Sequence, residues 1–258
     1  MVLAVNIGNT HITVGGYDGE ARLFTGRLCA RAGMTADECA IALDQLLALY
    51  GQQGCQWEGG ILGSVAPALT APMLSALRRL CASRPLTVGP GLKSGLSIAI
   101  DDPGQLGAEL LAAGVAALKM DPPPAILLCA DTALSLMGID RQGRLVGGMI
   151  LPGPAAAVGA LVQRTAQLPQ VDLDERPRAL SPLSTNSAAC LRSGAILGTA
   201  AMLDGLLAKL RGELGENAWV AATGQLPEGV LEAMETPVRR CDSLILDGMY
   251  AIWQKNRR

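Results

Sequence analysis

Near the start of the chain, Asn6-Ile7-Gly8-Asn9-Thr10 gathers two amides, a hydroxyl and a glycine into a short polar turn after the apolar run Val2–Val5. Such a turn is open to two readings. It is an ordinary hairpin, or a loop whose backbone approaches phosphate while Asn9 and Thr10 supply donors. A similar arrangement returns in mid-chain, where the apolar run Ala125–Cys129 meets the polar turn Ala130–Thr132. Composition closes off other chemistries. His11 is the single histidine among 258 residues, which excludes a site built from several histidines of one chain. The seven cysteines (Cys29, Cys39, Cys55, Cys81, Cys129, Cys190, Cys241) are scattered with no Cys-x-x-Cys pair. They predict reduced, buried core thiols rather than a zinc knuckle or a disulfide framework. Aromatic residues make up 3%, too few for a base-stacking platform. A net charge of −2 gives no basic surface for nucleic acid or an anionic membrane.

Regular elements must hold these turns. Val2–Val5, Ile12–Tyr17 and Ala21–Arg27 read as strands, with a hairpin signal at Asp18-Gly19. A helix over Thr35–Tyr50 opens on the capping-box pattern Thr35-Ala36-Asp37-Glu38. Strands at Gly60–Val65 and Leu86–Val88 alternate with helices at Pro67–Ala82 and Gly104–Met120, as in a layered α/β sheet. Asp121-Pro122-Pro123-Pro124 then breaks the chain, and the opening pattern repeats. Strands at Ala125–Cys129, Ala133–Ile139 and Leu145–Ile150 precede helices at Pro154–Ala166 and Asn186–Leu214. Strands at Trp219–Ala222 and Val238–Cys241 and a helix over Leu246–Lys255 complete the chain. The repeat predicts two lobes, residues 1–120 and 121–258, with a ligand cleft between them. The start, MVLAVNIGNT, lacks the basic region of a signal peptide. No uncharged apolar run approaches the ~20 residues needed to cross a bilayer. A soluble, cytoplasmic protein is the expectation.

Several segments, in order, resemble those of the type III pantothenate kinases, relatives of acetate kinase, sugar kinases, heat-shock protein and actin. Asn6–Thr10 resembles that family's Asp-x-Gly-Asn-Thr loop, and Gly63–Thr70 its Ser-Ser-Val-x-Pro-x-Leu-Thr segment. Gly95-Leu96, Asp101-Asp102-Pro103 and Gly107-Ala108-Glu109 are similar to its Gly-Leu…Asn-Pro…Gly-Ala-Asp-Arg stretch. Gly147–Gly153 looks like its Gly-Gly-x-Ile-x-Pro-Gly loop, and Asn186-Ser187, Ser193-Gly194, Thr223-Gly224 and Asp242–Met249 match further positions. The resemblance implies two actin-like (ribonuclease H-like) lobes with mixed sheets. It implies a homodimer joined through the second lobe's long helices, which phosphorylates pantothenate from ATP in the first committed step toward coenzyme A. Mg²⁺ and a monovalent cation, K⁺ or NH₄⁺, are the implied cofactors. Implied nucleotide and phosphate contacts are Asn6, Gly8, Asn9, Thr10, Asp131, Thr132, Gly148, Pro152 and Gly153. Implied pantothenate contacts are Ile100, Gly107, Leu110 and Ser187, and Glu109 stands at the general base.

The departures from the pattern fall on the carboxylates. Asn6 replaces the metal-associated Asp and keeps one carbonyl oxygen as a weak ligand without charge. Glu109 replaces the Asp base; it reads equally as a displaced base or a solvated helix residue. An extra methylene moves the carboxylate by about 1 Å, and such misplacement can reduce rate on the order of 10²-fold. Leu110 replaces an Arg, and Ile100 a Tyr. In the second loop Cys129 replaces the Asp of the monovalent-cation position, and a neutral thiol does not suit a hard cation. Met137 replaces the loop's last Asp. Asp131 replaces a Gly; it either restores a charge or serves as a turn residue. The replacements predict weak or lost turnover, in a binding or regulatory relative that could pair with an active paralogue. The alternative is a fully active kinase with altered metal and cation loops. Restoring Asp at 6, 109 and 129 and Arg at 110 is expected to raise activity.

Overall fold

β1 spans Val2–Ile7 and is buried along its whole length, so Asn6 lies inside the strand rather than in the turn after it. This holds in a computed structural model that describes residues 1–89, 91–174 and 180–257. Asn6 is carried into the strand by its partners: it stands opposite Thr13 on one side and Gly63 on the other. β2 (His11–Asp18) and β3 (Ala21–Cys29) continue the antiparallel meander. α1 (Ala36–Leu49) begins at the capping box read from the sequence: Thr35 accepts from the Glu38 N–H, and Glu38 accepts from the Thr35 N–H. β4 (Gly59–Ser64), α2 (Pro67–Leu80), β5 (Leu86–Thr87), the two-residue β6 (Ser97–Ile98), a 3₁₀ turn at Pro103–Gln105 and α3 (Ala108–Met120) follow. The sheet order is β3-β2-β1-β4-β5, antiparallel across the meander and parallel from β1 through β4 to β5.

The second unit, Pro122–Asp242, repeats the scheme. β7 (Ala125–Ala130), β8 (Ala133–Ile139) and β9 (Arg144–Pro152) form an antiparallel meander. α4 (Pro154–Gln163), α5 (Ser187–Leu214), β10 (Trp219–Gly224), α6 (Glu228–Ala233) and β11 (Arg239–Arg240) complete it. β10 runs parallel to β7 and β11 parallel to β10, so the order is β11-β10-β7-β8-β9. By length and composition α5 is the one described helix able to cross a membrane. Here Ile196, Ala200, Leu203 and Leu207 of α5 are buried in one cluster with Ile126, Leu128, Leu134 and Leu136. α6, β6 and the 3₁₀ turn escaped the sequence reading because elements this short show no full period of burial.

The last helix, α7 (Leu244–Asn256), departs from chain order. The sequence division assigns residues 121–258 to one lobe, but the chain from Ser243 onward belongs with Met1–Asp121. The reason is its apolar face. Leu244, Leu246, Met249, Tyr250, Ile252 and Trp253 are all buried. A Cβ at Gly248 would collide with the backbone of Ala112 on α3, so that glycine sets the close helix approach. Tyr17 of β2 stacks on Tyr250 at 4.5 Å and donates to Asp247 at 2.7 Å. Arg22 of β3 pairs with the same carboxylate at 2.9 Å. Burial, reinforced by Asp247, pushes the Tyr17 hydroxyl well above its ordinary pKa.

The cysteines also differ from expectation. Cys39 and Cys81 are buried, but Cys29 and Cys190 are exposed and Cys55, Cys129 and Cys241 are half-buried.

Candidate functional site

In the first unit the structure brings together two of the substituted positions. The Asn6 Nδ2 donates to Glu109 Oε1 at 2.7 Å, across 103 residues of sequence. β1 supplies one partner. α3 supplies the other, starting from Gly107 as its N-cap with Glu109 in its first turn, where a negative charge suits the helix dipole. A carboxylate only accepts, so the amide nitrogen must face Glu109 and the Asn6 Oδ1 must face away. That oxygen is buried without a hydrogen-bond partner. It lies beside Gly63 and Met249: a Cβ on Gly63 would stand 3.2 Å from Oδ1 and 3.3 Å from the Met249 Sδ. Met249 and Gly63 therefore shape the site; both stand in segments that resemble the family pattern, but no local spacing places them beside Asn6.

The first loop is a closed hairpin turn. The Gly8 N–H donates to the His11 carbonyl at 2.9 Å, while Asn9 and Thr10 are exposed at its tip. The Gly63–Thr70 segment has a local structural account: Ser64 Oγ accepts from the Ala66 N–H at 3.1 Å and from Thr70 Oγ1 at 2.9 Å, tying β4 to α2. Ile100 and Leu110 are half-buried apolar groups.

In the second unit the turn at 131–132 meets the end of β9. The Gly153 N–H donates to the Thr132 carbonyl at 2.9 Å. A Cβ on Gly153 would come within 2.6 Å of the Asp131 carbonyl oxygen, so glycine is required there by packing. The same holds for Gly148, where a Cβ would collide with the Leu136 carbonyl and the Met137 sulfur. Met137 is buried over that glycine as an apolar filler. Cys129 lies on β7 between Ser135 and Thr223. Asp131 sits half-buried in its turn, Thr132 is exposed, and Pro152 is the exposed last residue of β9. Ser187 stands on a different element. It opens α5 behind the N-cap Asn186 and lines a pocket of about 540 Å³ with Ser184, Thr185 and Cys190. A second, apolar pocket of about 380 Å³ lies between α4 and α5, lined by Ala157, Leu161, Gly194, Gly198 and Met202 among others.

A resident metal does not fit these donors. Among the described residues no three His, Cys, Asp or Glu side chains gather to hold an ion. Asn6 offers one neutral oxygen, already enclosed by Gly63 and Met249. At Cys129, the position that the resemblance assigns to a monovalent cation, sulfur stands where a hard cation needs oxygen.

Comparison with known proteins gives a consistent result. A family model described as type III pantothenate kinase matches residues 2–209. The type III pantothenate kinase of Moorella thermoacetica is 32% identical over 257 residues, covering 99% of this chain and 100% of the relative. That of an Exiguobacterium species is 34% identical over 259 residues, with 100% of both chains covered. Among solved structures, the activator of the 2-hydroxyisocaproyl-CoA dehydratase from Clostridium difficile with bound ADPNP superposes with a TM-score of 0.55. It shares 11% identity, over 98% of this chain and 95% of its own. The ethanolamine utilization protein EutJ from Carboxydothermus hydrogenoformans gives 0.56 at 10% identity, over 97% and 88%. At such identities these two likenesses establish the fold: α/β, actin-like, with two mixed sheets.

Proposed function

Since the chain belongs to the type III pantothenate kinase family, we propose that it transfers the γ-phosphoryl group of ATP to the hydroxyl of pantothenate. Turnover is slower than in a member carrying both family aspartates. The observation that supports this reading is the 2.7 Å bond from Asn6 to Glu109. It keeps a carboxylate oriented at the start of α3, at the family's base position. Glu109 takes the proton of the substrate hydroxyl as that oxygen attacks phosphorus and ADP departs. Asn6 holds the carboxylate. The exposed Asn9 and Thr10 offer donors to the phosphates, and Ile100 and Leu110 give pantothenate an apolar wall in place of a hydroxyl and a guanidinium. Mg²⁺ bound to ATP would supply charge neutralisation at the phosphates; among the described residues no acidic cluster gathers to hold it. The protein is read as a cytoplasmic homodimer, a second copy covering the apolar α4–α5 face.

A second reading, nucleotide binding without turnover beside an active paralogue, is favoured by the apolar packing of Met137 over Gly148. The test separates the two. Purified protein with ATP, Mg²⁺ and pantothenate is expected to release ADP at a rate insensitive to K⁺ or NH₄⁺, and Glu109→Gln to lower it ~10²–10⁴-fold. No turnover, with ATP binding in calorimetry, would favour the second reading.

A further inference from the structure

The segment 91–100 carries Gly95, Leu96 and Ile100 ahead of α3, and two of its residues, Lys93 and Gly95, meet the other end of the chain. The Asn256 Oδ1 accepts from the Lys93 N–H at 3.0 Å, and Asn256 Nδ2 donates to the Lys93 carbonyl at 3.0 Å. One side chain thus satisfies both main-chain groups of one loop residue, as a neighbouring strand would. The same Nδ2 donates to the Ile252 carbonyl at 2.7 Å, which fixes the side chain against the last turn of α7. The adjacent Lys255 lies across Gly95: a Cβ there would stand 2.7 Å from its Cε. Gly95 also has φ +84°, where a side chain is strained. Asn256 therefore grips the loop at Lys93, the Lys255 side chain lies against Gly95, and Leu96, 7% exposed, is buried just beyond.

We infer that Asn256 is a positioning residue for the hydroxyl substrate: through its clamp on Lys93 it fixes the loop that carries Ile100. This rests on the kinase reading above. α7 also contributes Met249 beside Asn6, so the C-terminal helix supports the candidate base from one turn and the substrate loop from another. The contact spans 163 residues of sequence and has no local signature.

The test uses the full chain with Asn256→Ala, Gly95→Ala and, as a control, Arg257→Ala. Hydrogen exchange of segment 91–98 is read together with KM for pantothenate and for ATP. Asn256→Ala and Gly95→Ala are expected to speed exchange in that segment. They are also expected to raise KM for pantothenate on the order of tenfold, the scale of one or two lost hydrogen bonds, with KM for ATP within about twofold. Arg257→Ala changes neither. Unchanged exchange, or equal rises in both KM values alongside a lower Tm, overturns the proposal. If the wild type turns over no pantothenate, the kinase reading falls. Pantothenate calorimetry then decides the positioning claim by itself: binding about tenfold weaker in Asn256→Ala upholds it, and equal or undetectable binding in both proteins overturns it.

Discussion

Replacing Asn6 by Asp makes the chain more like its family, and the structure predicts that this single change is harmful. Asn6 donates to Glu109 at 2.7 Å, a charge-assisted bond of about 1.5–3 kcal/mol. Aspartate removes the donor and sets two carboxylates face to face. With charge centres about 4 Å apart and an effective dielectric constant of about 20, their repulsion is about 4 kcal/mol. The outward oxygen stays enclosed by Gly63 and Met249, now carrying charge. The pair escapes by keeping one proton, so one carboxyl of the variant titrates above its unfolded value. In that window the folded variant binds more protons than the unfolded chain, so its stability falls as pH rises. Urea unfolding should therefore show Asn6→Asp about 2–4 kcal/mol below wild type near about pH 8, with most of the deficit recovered near about pH 4.5. Glu109→Gln placed on the Asn6→Asp background restores a donor and acceptor across the same gap. It should recover about 1.5–3 kcal/mol at the higher pH, a coupling readable from a double-mutant cycle. An Asn6→Asp protein as stable as wild type at about pH 8, or a deficit independent of pH, would refute the geometry argued for this pair. The gain in activity is expected of Asp at 6, 109 and 129 and Arg at 110 taken together; Asn6→Asp by itself is expected to unsettle its contact with Glu109.

Three further outcomes follow from other sites. Asp204 of α5 accepts from the Glu235 and Thr236 N–H groups, both at 2.9 Å. Although burial opposes them, these bonds hold its carboxyl below the ordinary range. Asp204→Ala should lower unfolding stability by about 1–3 kcal/mol at neutral pH. The difference should close as pH falls through the depressed folded pKa, because there the wild-type carboxylate is itself protonated. In native maleimide labelling, the exposed Cys29 and Cys190 should react first and the buried Cys39 and Cys81 last, since burial raises both thiols, that of Cys81 to about 12. Gly148→Ala, which drives a methyl into the Leu136 carbonyl, should cost roughly 2–3 kcal/mol by thermal unfolding, and a neutral result would return Gly148 to a purely phosphate-binding role.

Much of the fold was legible because its signals are local. The Thr35–Glu38 capping box, the Asp18-Gly19 hairpin, the apolar periods of α1, α2 and α3 and the long apolar run of α5 each depend on a few neighbouring residues. The repeat of strand, turn and hairpin glycine likewise gave two units with mixed sheets. Reading Asn6 as the first turn residue failed because strand length is fixed by pairing partners, and those partners, Thr13 and Gly63, extend β1 through it.

Residue types set against the family pattern showed which of its carboxylates are replaced and left Glu109 as the candidate base, and a single histidine excludes a site built from several histidines of one chain. Tertiary structure decided what those residues do. It joined Asn6 to Glu109, explained Gly148 and Gly153 by backbone crowding, and returned α7 to the first unit, where it meets Asn6 with Met249 and grips Lys93 with Asn256. Each of these is a contact between distant segments. Such contacts are set by how buried faces pack in three dimensions, and side-chain spacing along one strand or helix holds no record of them.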